Sequence, residues 1–373
     1  MGSAWIYVGS FIGALVISLV LVPLVRRLAI KRDVLDSPGA HKSHHTPVPY
    51  LGGVAMVVAF SLAVVAAAVA KQDLSFSGGL VTFNRGLVLS RGSSTLGELF
   101  LILGLALGLS VMGLIDDLRG LNPFFRLSIE VLVASSIIAY GIQFTSPLPD
   151  GVDAIITVVW IVGITNALNL LDNTDGLAAG ITGIAGVTFF VLAYANDQPF
   201  TALLALGLAG CTLGFLRSNF HPAKIYMGDA GSLYLGFLLS YIGLKIRVNQ
   251  SETPQLFIPA IVLGVALLDT TMVVVSRLRR RVSPFTGGQD HLSHRLRRLG
   301  LSVPRSVTTL LVASVALSIL AIGLSEAPAG VGYWILGASV ASGAMTTILL
   351  TTEVARVDTE SASNITPLRR NVG

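Results

Sequence analysis

Five polar strings in this sequence collect the side chains that handle cations, protons and phosphate. They are HKSHHTPVPYLGG from His41, GLIDDLRGLNP from Gly113, NALNLLDNTDGLAAG from Asn166, HPAKIYMGDAGS from His221 and GGQDHLSHRL from Gly287. The adjacent carboxylates of Asp116 and Asp117 can share a divalent cation, or one can take a proton while the other stays ionised. Asn166, Asn169, Asp172 and Asp175 recur every three residues, which keeps them near one face of a helix end. Amides there suit a polar ligand, and carboxylates suit a hard cation such as Mg2+. Asp229 is flanked by glycines that let a bound group approach the backbone, at a helix start whose free N–H groups attract phosphate. His291 and His294 stand beside Arg295, Arg297 and Arg298, a mixture that fits diphosphate and developing phosphoryl charge. Lys42 and its neighbouring histidines add a further cationic stretch.

Each string also has a plainer reading. Asp116 and Asp117 can be solvated acids neutralised by Arg119 and Arg126, although anions are unwelcome at a helix C-terminus and need a partner there. Asp175 can cap the helix that begins after Gly176, and Asp229 or Ser232 can cap the next apolar run. The histidines can be solvated or interfacial. A zinc site lacks soft ligands, because Cys211 is the single cysteine and no HExxH string exists. Two acids fall deeper in apolar sequence. Glu130 has the i,i+4 spacing of an ordinary ion pair with Arg126 and is read as structural, while Asp269 stays undecided.

The elements that must hold these residues are membrane helices. The chain has 373 residues, 53% hydrophobic and 12% charged, with mean hydropathy +0.77, which excludes a soluble globular protein. Runs near the roughly 20 apolar residues of a spanning helix recur at 4–25, 51–70, 96–115, 124–141, 153–171, 176–195, 200–216, 231–246, 256–276, 304–324 and 330–351. The expected architecture is therefore all-α and polytopic with about eleven spans, forming one transmembrane domain over 1–352 and a polar, mobile tail over 353–373. Leu74–Ser90 reads as a small external hairpin. The first run lacks a basic n-region and cleavage site and is read as a retained helix. Odd helices running outside to inside place 20 of the 25 Lys and Arg residues in cytoplasmic segments, as basic loops require. All five strings then face the cytoplasm. The net charge of +5 describes a basic inner face suited to anionic headgroups and phosphorylated substrates, not a nucleic-acid-binding domain.

Together the strings resemble the polyprenyl-phosphate N-acetylhexosamine-1-phosphate transferases over about residues 20–300, in that family's order. The resemblance implies transfer of a sugar 1-phosphate from a UDP-sugar to undecaprenyl phosphate at the cytoplasmic face of the plasma membrane, with release of UMP. It implies Mg2+, with Mn2+ as a substitute, held by Asp229 with Asp116 and Asp117, the last pair also deprotonating the lipid phosphate. Asp175 and His291 are expected to be catalytic, Asp172 and His294 to bind substrate by the same resemblance, and Asn166, Asn169, Lys42 and Arg295 to bind substrate by the chemistry of their side chains. A homodimer is a further expectation. DHLSHRL is similar to the string of the branch that uses UDP-N-acetylglucosamine and lacks the uninterrupted histidine triplet of the UDP-muramoyl-pentapeptide branch. Two positions depart from the pattern: Asn173 stands for the usual Gly and Ser293 for the middle histidine. A secondary transporter is the competing class, though transporters place acids near the midplane and show repeats. A cytidine-nucleotide phosphotransferase would need a different acid spacing.

Overall fold

The computed structural model describes residues 4–36, 47–70, 95–146, 148–248, 257–283, 285 and 288–327, with positions 337, 343 and 345. Among these, twelve α-helices and one two-stranded ribbon follow in the order α1 (Ala4–Lys31), β1 (Leu35–Asp36), β2 (Val48–Pro49), α2 (Gly52–Ala70), α3 (Thr95–Arg119), α4 (Pro123–Ala139), α5 (Asp150–Leu171), α6 (Leu177–Ala195), α7 (Pro199–Asn219), α8 (Gly228–Lys245), α9 (Phe257–Val262), α10 (Gly264–Arg279), α11 (Leu292–Arg298) and α12 (Val303–Ser325). The protein is an all-α polytopic membrane protein. Seven helices, α1, α2, α3, α5, α6, α7 and α12, are long and apolar enough to cross a bilayer.

The first ten sequence runs coincide with helices, with one difference. The run over 256–276 breaks at Leu263, separating the short α9 from α10. The eleventh run, the expected external hairpin and the expected mobile tail lie outside the described residues, apart from isolated positions in that run. α4, at 17 residues, is shorter than a full span. It begins where Pro123 occupies the first turn and Asn122 caps it, its side chain accepting from the Phe124 N–H at 2.9 Å.

Burial divides the helices by position. Along α1, Trp5, Val8, Ile12, Val16, Val20, Leu24 and Leu28 are all exposed, a stripe at helical spacing whose natural solvent is lipid. α8 is the opposite case: every residue from Ala230 to Leu244 is buried. It packs against α5, α3 and α2, and α1, α2, α6 and α7 close the bundle beside it. Gly113 of α3 makes one of these approaches feasible, because a Cβ there would lie 2.4 Å from the Asp229 carbonyl oxygen. This contact brings the C-terminal end of α3, with Asp116 and Asp117, onto the N-terminal end of α8.

Candidate active site

Helix ends supply the organising electrostatics. The last turn of α3 carries partial negative charge, which disfavours two aspartates, while the first turn of α8 exposes N–H groups that favour one. The fold resolves both demands by crossing the two ends. Asp117 Oδ1 accepts from the Asp229 N–H at 3.0 Å and Oδ2 from the Ala230 N–H at 3.2 Å. α8 has no cap from its own chain neighbourhood; its N-cap residue, Met227, makes no side-chain cap bond. Gly228 has φ +66°, and a Cβ there would meet Asp117 Oδ2 at 2.5 Å, so glycine is required by both conformation and space.

Asp116 faces a different partner. Its Oδ1 accepts from the Leu121 N–H at 2.5 Å and its Oδ2 from Arg126 Nη1. The same Nη1 donates to Asp229 Oδ2 at 2.9 Å, and Arg126 Nη2 donates to Asn169 Oδ1 at 3.1 Å. Asn169 Nδ2 in turn donates to Asp229 Oδ1 at 2.7 Å and reaches Ser232 Oγ at 3.0 Å. One guanidinium therefore gathers residues from α3, α5 and α8. Arg126 does not pair with Glu130, as their spacing suggested. Glu130 accepts from Asn166 Nδ2, which also donates to the Val162 carbonyl.

The turn between α5 and α6 holds the remaining acids. Asp172 is the C-cap residue of α5. Burial pushes its carboxyl well above the usual carboxylate range, and the charges of Asp229, Asp117 and Asp175 add to the effect. Asp175 does not cap α6. Gly176 is the N-cap, and its N–H donates to Asn219 Oδ1 at 3.0 Å. Asp175 Oδ2 instead accepts from the Ala223 N–H at 3.0 Å and lies 2.7 Å from His221 Nδ1. His221 is a site neighbour that sequence spacing did not single out, 46 positions from its partner.

The histidine string forms α11. His291, its N-cap, is almost buried, with Nδ1 2.8 Å from Asp269 Oδ2, and Asp269 Oδ1 accepts from the Leu292 N–H at 2.6 Å. Asp269, undecided from sequence, thus orients His291 and anchors the helix start. His294 packs edge to face on His291, ring centroids 5.9 Å apart. Burial, with help from His291 and Arg297, lowers its pKa to about 4, so its imidazole is neutral near pH 7. Arg295 is buried and donates from Nε to the Asp290 carbonyl at 2.9 Å. Asp290 is held by Arg280 at 2.6 Å and Arg277 at 3.4 Å, guanidinium charges that keep its carboxyl below the usual range even against burial. From the first string, Lys42, His41, His44 and His45 lie outside the described residues. Tyr50 is described, and its hydroxyl donates to the Asp117 carbonyl at 3.4 Å.

The oxygens of Asp116, Asp229 and Asn169 converge on one cationic group, a donor set suited to a hard divalent ion. Asp117, expected in the same set, turns both oxygens to the α8 N-terminus. Among the described residues, no three His, Cys, Asp or Glu side chains are already arranged around a common ion position. The chemistry of Asp116 and Asp229 fits Mg2+, and Arg126 stands at the point where they meet.

The membrane helical bundle thus gathers acids from separate helices, with an arginine among them, at one end. The family described as Glycosyl transferase family 4 matches residues 99–247. The chain is 34% identical to a protein of Bacillus subtilis (strain 168) named probable undecaprenyl-phosphate N-acetylglucosaminyl 1-phosphate transferase, over 88% of this chain and 87% of the relative. It is 30% identical to a decaprenyl-phosphate N-acetylglucosaminephosphotransferase of Mycobacterium leprae (strain TN), over 90% and 88%. It is 25% identical to a phospho-N-acetylmuramoyl-pentapeptide-transferase of Bacillus velezensis, over 84% and 94%. The chain belongs to glycosyl transferase family 4 and is a phosphoglycosyltransferase.

Proposed function

We propose that this protein transfers N-acetylglucosamine 1-phosphate from its UDP-sugar to undecaprenyl phosphate at the cytoplasmic membrane face, in a Mg2+-dependent reaction that releases UMP. An oxygen of the lipid phosphate attacks the β-phosphorus of the donor. The bond from that phosphorus to the bridging oxygen of the α-phosphate breaks, and UMP leaves with that oxygen. The product is the lipid joined to the sugar through a diphosphate.

The observation that carries this reading is the meeting of Asp116 and Asp229, from α3 and α8, on a single nitrogen of Arg126. Two anionic substrates repel, and phosphoryl transfer is chiefly positioning and charge neutralisation. Asp116 and Asp229 would hold Mg2+, which when bound supplies Lewis-acid neutralisation of phosphate charge. Arg126, freed toward a phosphate, adds a second cation on the same line. Asp117 is fixed by two N–H donors yet keeps further lone pairs, and we assign it to accept or exclude the proton of the lipid phosphate. His291, oriented through Nδ1 by Asp269, leaves Nε2 for the donor diphosphate. The basic loops around α11 favour that anion.

The choice of N-acetylglucosamine rests on relatives at 34% and 30% identity against 25% for the pentapeptide enzyme. The test is UMP release by membranes containing the protein, given polyprenyl phosphate, Mg2+ and each UDP-sugar in turn. UMP is expected with UDP-N-acetylglucosamine. Release only with the muramoyl-pentapeptide donor reassigns the branch, and no release with any donor overturns the reading.

A further inference from the structure

The two positions that depart from the family's string, Asn173 and Ser293, are 120 residues apart in sequence and bonded to each other. Ser293 Oγ donates to Asn173 Oδ1 at 2.6 Å. Thr174 closes the cluster, with its Oγ1 2.9 Å from Ser293 Oγ and 2.7 Å from Asn173 Oδ1. Asn173 Nδ2 donates to the Leu170 carbonyl at 2.9 Å, tying its side chain back to α5. Ser293 is fully buried and Thr174 nearly so. The single Ser293 proton goes to Asn173, and the one Thr174 proton is shared between Asn173 Oδ1 and Ser293 Oγ, so the buried Ser293 hydroxyl is engaged with the acidic turn. A residue in the middle of the histidine string is therefore buried against the turn between α5 and α6.

We propose that the Asn173, Thr174 and Ser293 cluster is a positioning latch that sets how the histidine helix meets the acidic turn, and through this the affinity for the sugar-nucleotide donor. This rests on the UDP-sugar reading above. α11 has only seven residues, too short to hold an orientation by propensity. It is pinned at its start by Asp269 and at Ser293 by the turn that separates Asp172 from Asp175. Successive residues of a helix project about 100° apart, so fixing the direction of Ser293 fixes that of His294. The latch thus joins the segment bearing imidazole and guanidinium groups, which suit a diphosphate, to the acid-bearing half. Polar atoms inside such a contact impose one register where an apolar contact would allow several.

Ser293→Ala, Asn173→Ala, the double variant and Ser293→Thr test this in purified full-length protein with UDP-N-acetylglucosamine and undecaprenyl phosphate. Each Ala variant is expected to raise the donor KM roughly 3- to 10-fold, the scale of one buried hydrogen bond. kcat should stay within about twofold and the lipid KM should not move. The double variant should be no worse than either single, because both remove the same link. Ser293→Thr keeps the hydroxyl and should restore the donor KM. An unchanged donor KM, multiplying effects in the double variant, or a uniform decline of kcat, both KM values and thermal midpoint would each overturn the latch. If the wild type neither binds nor turns over any UDP-sugar, the donor reading fails and takes the latch with it; a normal wild type with unaltered variants sinks the latch alone.

Discussion

Arg126 is the residue on which the site's charge balance turns. It meets Asp116, Asp229 and Asn169 while keeping 18% side-chain exposure. Arg126→Ala leaves two crowded carboxylates without their counter-charge, and should lower turnover roughly 100-fold or more and stability by about 2 to 4 kcal/mol, less than for a fully buried pair. UMP release and thermal unfolding in detergent measure the two effects. Arg126→Lys, which cannot fork between acceptors, should fall between. His294 supplies a pH-dependent counterpart. Its folded pKa of about 4 lies below the unfolded value near 6.5, so the unfolded chain binds a proton that the folded one refuses. Stability should therefore fall as pH drops from about 6.5 toward 4, and His294→Gln should flatten that part of a plot of thermal midpoint against pH. The three-residue spacing of Asn166, Asn169 and Asp172 already told which side chains share a helix end. It did not tell who binds whom: local spacing favoured Arg126 with Glu130, whereas the fold gives Arg126 to acids 10 and 103 positions away. Asp269 and His221 escaped assignment for the same reason, since their partners come from other helices.

Among elements, the crossing of α3 with α8 does most to shape the site. Gly113 lets the α3 backbone touch the start of α8, and a methyl group would sit 2.4 Å from the Asp229 carbonyl oxygen. Gly113→Ala should push the helices apart at a cost of about 1 to 3 kcal/mol and abolish UMP release, while Gly104→Ala, where a Cβ meets nothing within 4 Å, should leave activity intact. The comparison separates loss of helix crossing from loss of glycine flexibility. Most helices were legible as apolar runs, because a bilayer-length segment without charge has few alternatives. The interruption at Leu263 and the short α11 were not: Pro259 and Gly264 stand inside an otherwise continuous apolar run that reads as one span, and α11, between Gly288 and Gly300, has seven residues, too few for a helical period to show. The plainer alternative of helix-capping aspartates does not hold at Asp175 or Asp229, because capping is local, and here the N–H groups of α8 are served by Asp117, 112 positions earlier in the chain.

At the level of the whole molecule, the sidedness inferred from Lys and Arg placement becomes an experiment on intact cells. Cys211 is buried, with Sγ 3.4 Å from the Met56 carbonyl oxygen, so the native thiol should stay silent to a maleimide. Arg119→Cys, at the last residue of α3, should label only once the membrane is opened, whereas Asp197→Cys, between α6 and α7, should label with an impermeant reagent from outside. Labelling of both from one side would place the loops wrongly. α8 carries another consequence. With its whole apolar length walled in by protein, it has no acyl chains to match, so its depth is set by neighbouring helices instead of by bilayer thickness. Stretching or thinning the hydrocarbon should tilt the rim, above all α1, and leave Asp229 at an unchanged height relative to Asp117, a chemical stage insulated from the mechanics of the sheet in which it floats.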